Sequence, residues 1–200
     1  MSANERFPTS PQSPFLPSMK QRLLFLGPPG AGKGTQAERL CAAHELMHLS
    51  TGDLLRAEVG AKTSLGQEAA AVMNRGELVS DELVLAIVEN QLKNQSGGWL
   101  LDGFPRTLIQ ATALEPLLEE LKQPIEAVVL LELNDAVLIE RLISRGRSDD
   151  NESVIRNRLE VYREKTAPLI DHYRQQGLLQ TVEAHGSIES IAISIEKSLC

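Results

Sequence analysis

After an apolar run, the chain reads Gly27-Pro28-Pro29-Gly30-Ala31-Gly32-Lys33. Glycines at this spacing let backbone N–H groups converge on an anion with no Cβ in the way. A helix starting at the loop's end adds the positive end of its dipole. Lys33 adds a mobile ammonium that can follow charge on outer phosphates. The G-x-x-x-x-G-K spacing thus predicts a polyphosphate cradle, and a glycine-rich turn with no ligand leaves the lysine unexplained. Gly34 stands where a Ser or Thr would ligate magnesium, with Thr35 one place on. Thr35 is therefore expected on phosphate or a metal-bound water, and the metal needs another anchor. Asp102, closing the apolar run from Trp99, is the best candidate. A capping or turn aspartate is the alternative.

Arginine placement adds a second signal. Arg56 and Arg106 flank one polar, helix-forming stretch, while Arg141, Arg145, Arg147, Arg156 and Arg158 surround the loop Ser144-Arg-Gly-Arg-Ser-Asp-Asp-Asn-Glu-Ser153. The planar guanidinium fork suits phosphate. Two arginine groups around one phosphate loop suggest two phosphorylated substrates, which is a transferase layout. His44, His48, His172 and His185 do not cluster in sequence, and all four are read as structural or surface residues. No Ser–His–Asp or Cys–His set stands out.

These groups need a frame. Apolar runs at Arg22–Leu26, Leu46–Ser50, Trp99–Asp102, Ala127–Leu133 and Leu178–Glu183 predict strands. Helical stretches are predicted at Gly34–Ala43, Asp81–Gln95 (capped by Ser80), Leu108–Leu121, Ala136–Ile143, Ile188–Leu199 and, as one long helix, Val154–Gln176. The alternation predicts an α/β fold: a P-loop NTPase-type parallel five-stranded sheet covered by helices on both faces. Ligands bind such sheets beyond the carboxyl ends of the strands, where the loop, Asp102 and the arginines all fall. The glycine-interrupted stretch at about 50–80 reads as a helical insertion. The expected organisation is a disordered tail over 1–20, rich in proline, then one domain over 21–200 with that insertion and a short lid at about 144–152. Met19 is a natural start for the folded part.

Two hundred residues, 42% hydrophobic, suffice for one such core. The net charge of −7 disfavours a general nucleic-acid or membrane-surface binder. No run approaches a membrane span. Cys41 and Cys200, far apart, are read as one buried and one tail thiol of a reduced, cytoplasmic protein, with a disulfide as the alternative.

Taken in order, the stretches GPPGAGKGTQ, STGDLLR, GELVSDELV, WLLDGFPRTLIQ and RGRSDDNESVIRNRL resemble the adenylate kinases of the nucleoside monophosphate kinase family. The likeness runs from about Leu23 to Leu199, and that family also carries glycine where Gly34 stands. It implies Mg-dependent transfer between nucleotides, ATP + AMP ⇌ 2 ADP. By the same resemblance Gly30, Ala31, Gly32, Lys33, Gly34, Thr35, Arg141 and Arg145 bind ATP. Thr51, Gly52, Leu55, Arg56, Glu77, Leu78, Val79, Gly103, Phe104, Arg106, Gln110, Arg147 and Arg158 bind AMP. Lys33, Arg106, Arg147 and Arg158 are the implied catalytic groups. Asp102 is implied to hold Mg2+ through water, and Asp149 and Asp150 to tie the lid loop.

Relatives that use UMP and CMP usually carry alanine and asparagine where this chain has Thr51 and Gln110, so adenine is the expected acceptor base. A glutamine amide can both donate and accept, which suits adenine's amino group and N1. A UMP/CMP kinase or a broad monophosphate kinase stays as the alternative, and a nucleotide-sensing switch as the non-enzymatic one. The lid between Arg145 and Asp149 is too short for the zinc-binding cysteines some relatives carry, so no zinc is expected. The family also implies ATP, AMP and ADP as the partners of a monomer. An acceptor phosphate is already anionic, so positioning and charge neutralisation are the expected mechanism. Both insertions are expected to close over the site before transfer.

Overall fold

The inner strands alternate between two apolar environments. In β1 (Arg22–Leu26), Leu23 and Phe25 point to one face and Leu24 and Leu26 to the other. In β4 (Ala127–Glu132), Ala127, Val129 and Leu131 oppose Val128 and Leu130. A strand that is apolar on both sides needs cover on both sides. In the computed structural model, which describes residues 19–147 and 151–200, helices supply that cover. β2 (Met47–Ser50), β3 (Trp99–Asp102) and β5 (Leu179–Glu183) complete a five-stranded sheet in the order β2-β3-β1-β4-β5. Every pairing is parallel, with Leu24 opposite Leu101 on one side and Val128 on the other.

On one face lie α1 (Lys33–His44), α6 (Asp135–Arg145), α7 (Glu152–Val161) and α9 (Ile188–Leu199), around a cluster that includes Leu40, Leu138, Ile155 and Ile195. On the other lie α2 (Thr51–Gly60), α3 (Ser64–Met73), α4 (Asp81–Leu92), α5 (Leu108–Glu120) and α8 (Pro168–Gln175), around Trp99, Val88, Leu114 and Tyr173. The strand and helix positions follow the sequence expectations with two corrections. The single helix expected over Val154–Gln176 is three pieces: α7, a π-helical turn over Tyr162–Thr166, and α8. Pro168 supplies the reason, since proline has no N–H to donate and its ring crowds the preceding turn. The Ala167 N–H reaches back five residues to the Tyr162 carbonyl, 2.8 Å away. Ser80 does occupy the N-cap of α4, but its hydroxyl makes no capping bond.

The expected insertion is α2 and α3 packed on each other. Their contact depends on Gly66: a Cβ there would sit 2.0 Å from the Glu58 carbonyl oxygen. In an open helix, Gly→Ala stabilises by up to about 1 kcal/mol. Here the clash reverses the sign. Gly66→Ala is expected to destabilise the α2–α3 pair by about 1–3 kcal/mol, read as faster amide hydrogen exchange in residues 51–73 with little change in α9. The tail expected over 1–20 lies mostly outside the described residues, as do Asp149 and Asp150 of the lid. Both cysteines are free, Cys41 buried and Cys200 exposed, as expected.

Candidate functional site

The carboxyl ends of β1, β2 and β3 open into a cleft of about 680 Å³. β1 is central, so the loop that follows it lies in the middle of the cleft floor. Gly32 closes that loop as the N-cap of α1 in a left-handed conformation, φ 94°, where glycine carries no Cβ penalty. No side chain caps α1, and nothing lies within 4 Å of where a Gly32 Cβ would be. The helix N-terminus and its amides are therefore open to an anion.

Lys33 folds back over this loop. Its Nζ donates to the Gly27 carbonyl at 2.7 Å and to that of Pro28 at 3.1 Å. Burial drops the ammonium pKa to about 8, with Arg106 and Arg145 pushing the same way and Asp102 opposing. The unliganded loop thus loses its charge through mildly alkaline pH, whereas a bound polyphosphate favours the charged form. Hence kcat/KM for ATP is expected to fall above pH 8 by up to about tenfold per pH unit, while kcat at saturating ATP stays flat further into the alkaline range. Steady-state rates between pH 6.5 and 10 check this.

Arg106 is held at both its backbone and its side chain. Its N–H donates to Gln110 Oε1 at 2.6 Å, and its carbonyl accepts from Thr166 Oγ1 at 2.8 Å. Its Nε donates to the Gly103 carbonyl at 2.7 Å. That last contact needs Gly103, at φ 81°, because a Cβ there would lie 2.9 Å from the guanidinium. Burial lowers the Arg106 pKa, with Asp102 opposing and Arg56 adding to the fall. Arg158 falls to about 10, chiefly through burial and then through Arg145, Arg106, Arg56 and Arg147. Mutual crowding of cations at one place is costly unless an anion joins them.

Nearly every residue singled out from the sequence lines this cleft. From the loop come Gly30, Ala31, Gly32, Lys33, Gly34 and Thr35. Thr51, Gly52, Leu55, Arg56, Glu77, Leu78, Val79, Gly103 and Gln110 line the part under α2 and α4. Asp102, Arg106, Arg141, Arg145, Arg147 and Arg158 complete it. Arg56 pairs with Asp53, and Arg141 donates to the Ala184 carbonyl at 3.2 Å. Two residues stand apart. Phe104 is 1% exposed and packs in the core with Trp99 and Leu101, so its ring serves the hydrophobic cluster and not the cleft. Arg156 is an exposed partner of Glu152 on α7.

Asp102 is a buried carboxylate at the cleft floor. A Cβ at Gly34 would lie 3.6 Å from its Oδ2, so glycine leaves space over the carboxylate. Among the described residues no group of three or more metal-ligating side chains occurs. One carboxylate beside a phosphate loop suits a hydrated magnesium ion that keeps most of its waters. His48 Nε2 stands 3.9 Å from the same Oδ2, too far for a hydrogen bond. The carboxylate nevertheless holds the imidazole pKa above its ordinary value, despite burial. His44 and His172 pair with Glu196 and Glu115 on the outside of the core.

The sequence reading missed some lining residues. Ile188 and Ile191, with Gly186, offer an apolar wall near Arg141. They follow β5, so the carboxyl-end rule that located the other groups points to them too. Thr166 carried no signal, because the helical pattern ran through it.

Comparison with known proteins shows the family. A family model described as adenylate kinase matches residues 25–178. An adenylate kinase of Prochlorococcus marinus (strain MIT 9303) is 99% identical over 182 residues, 91% of this chain and 100% of that protein. One from Parasynechococcus marenigrum (strain WH8102) is 78% identical over 90% of this chain and 100% of its own length. Another, from Prochlorococcus marinus (strain MIT 9211), is 62% identical over 90% of this chain and 98% of its own.

Proposed function

Since the chain belongs to the adenylate kinase family, we propose that its cleft brings ATP and AMP together and carries the reversible reaction ATP + AMP ⇌ 2 ADP. The observation that carries this reading is the convergence of Lys33, Arg56, Arg106, Arg141, Arg145, Arg147 and Arg158 on one cleft. Lys33, Arg56, Arg106, Arg141 and Arg158 are half-buried, and their crowding with the exposed Arg145 and Arg147 in an acidic chain needs a large anionic ligand to offset the repulsion.

The loop amides and Lys33 hold the outer phosphates of ATP, with Thr35 beside them. Arg141 and Arg145 hold the ATP side, and Arg56, Arg106, Arg147 and Arg158 the acceptor phosphate. The γ-phosphoryl passes in line to an AMP phosphate oxygen, which is anionic already and needs no general base. Lys33 must leave the Gly27 and Pro28 carbonyls to follow the charge as it moves. Asp102 would hold magnesium through water, and the ion, when bound, neutralises charge on the transferring phosphates. Thr51 and Gln110 line the acceptor-base side, which supports AMP over UMP. The insertion closes over the acceptor to keep water from competing for the phosphoryl group.

In this reading the protein works as a cytoplasmic monomer with no zinc. Among the described residues no helix is long and apolar enough to cross a membrane. The decisive experiment gives the purified protein ADP and magnesium alone. Formation of ATP and AMP in equal amounts is expected, and no conversion overturns the reading.

A further inference from the structure

Gln110 is 3% exposed and lines the acceptor-base side of the cleft. Both ends of its amide are already engaged. Oε1 accepts the Arg106 N–H at 2.6 Å, and Nε2 donates to Asp81 Oδ1 at 2.7 Å. These two partners fix the amide's orientation unambiguously. A backbone N–H can only donate, so it must face oxygen, and a carboxylate oxygen can only accept, so it must face nitrogen. A flipped amide sets N–H against N–H at one end and oxygen against oxygen at the other. Asp81 itself does not line the cleft. It sits in the first turn of α4 and acts on Gln110 from behind.

The held amide keeps one unused N–H and one unused oxygen lone pair, in a fixed order. For a base seated with its 6-substituent at Oε1 and its N1 at Nε2, that order matches an amino group beside an acceptor nitrogen, as in adenine. It opposes an edge with a carbonyl beside a protonated nitrogen, as in hypoxanthine or uracil. A free amide simply turns over to accept the second kind.

We propose that Asp81 is a specificity-positioning residue, whose carboxylate locks the Gln110 amide in the orientation that takes a 6-amino purine edge and turns away a 6-oxo one. This rests on the reading that Gln110 meets the acceptor base. Cytosine shows the same donor–acceptor order as adenine, so the lock does not discriminate against CMP; the space of the cleft must do that.

AMP and IMP differ only along this edge, so the test compares them as acceptors at saturating MgATP. The quantity read is the ratio of kcat/KM for AMP to that for IMP, in wild type, Asp81→Ala, Asp81→Asn and Gln110→Ala. Asp81→Ala is expected to lower the ratio by about tenfold, because it removes one of the two mismatches that oppose a flipped amide, oxygen against carboxylate, while the Arg106 N–H retains the other. Asp81→Asn nearly preserves size and can accept or donate. It should lower the ratio by a smaller factor, and it decides the matter if the alanine variant does not fold. A purely structural role for Asp81 lowers both rates alike and leaves the ratio unmoved. If Gln110→Ala collapses the ratio while neither Asp81 variant changes it, the lock is overturned and the Gln110 reading survives. If Gln110→Ala also leaves the ratio unchanged, Gln110 does not read the base, and both fall.

Discussion

Lys33→Met is expected to slow ADP disproportionation by about 10²–10³-fold, the range for losing one strong electrostatic contact in a dry site. Methionine keeps the length and apolar stem of the side chain, so α1 and the loop should keep their places. The effect on stability should be opposite in sign to the effect on rate. Burial pulls the Lys33 pKa down to about 8. A lysine whose folded pKa lies below its unfolded one costs stability wherever the charge is present, which includes neutral pH. Two carbonyls, those of Gly27 and Pro28, offset only part of that cost. A thermal melt at pH 7 should therefore show an unchanged or higher Tm for Lys33→Met. The same melt at pH 10, where the wild-type lysine is neutral, should shrink the difference. A slow variant with a clearly lowered Tm points to a damaged loop, and a rate within tenfold of wild type removes Lys33 from the chemistry.

Arg106→Ala is expected to lower kcat/KM for AMP by about 10³-fold, and Arg106→Lys should recover little of it. Lysine restores a charge but not the planar fork that binds two phosphate oxygens at once. The Arg106 guanidinium has no freedom to hunt for its ligand. Gln110 and Thr166 hold its backbone, and its Nε is bound to Gly103. Preorganisation of this kind is what a transition state rewards. Arg156→Ala is the control: that arginine pairs with Glu152 on an exposed surface, where such pairs contribute about 0–1 kcal/mol. Its kinetics should match wild type. Steady-state rates with AMP varied at saturating MgATP test all three, and equal losses for Arg106→Ala and Arg156→Ala contradict the assignment.

The strands and the phosphate loop were readable because each rests on a local pattern. Leu23 to Leu26 are apolar whichever face they point to, and the Gly27–Lys33 spacing carries its own chemistry. The arginines could be collected from the rule that strand ends carry ligands. Separating Arg156 from Arg158 could not be done this way, since both lie on α7 and only the helix's orientation over the sheet puts one in the cleft. Phe104 failed for a related reason: it lies between cleft residues Gly103 and Pro105, yet its ring turns into the core. The Asp81–Gln110 and Thr166–Arg106 contacts join residues 29 and 60 positions apart. Nothing local in the sequence specifies such pairs.

The π-helical turn at Tyr162–Thr166 has a consequence for how the molecule comes apart. It joins α7, whose Ile155 and Leu159 are rooted in one hydrophobic cluster, to α8, whose Leu169 and Tyr173 are rooted in the other. Melting either side of the sheet therefore drags on the opposite side through a continuous helical rod. Heat should then disassemble the central body in one cooperative step, while the α2–α3 hairpin, leaning mainly on itself, opens and recloses on its own schedule.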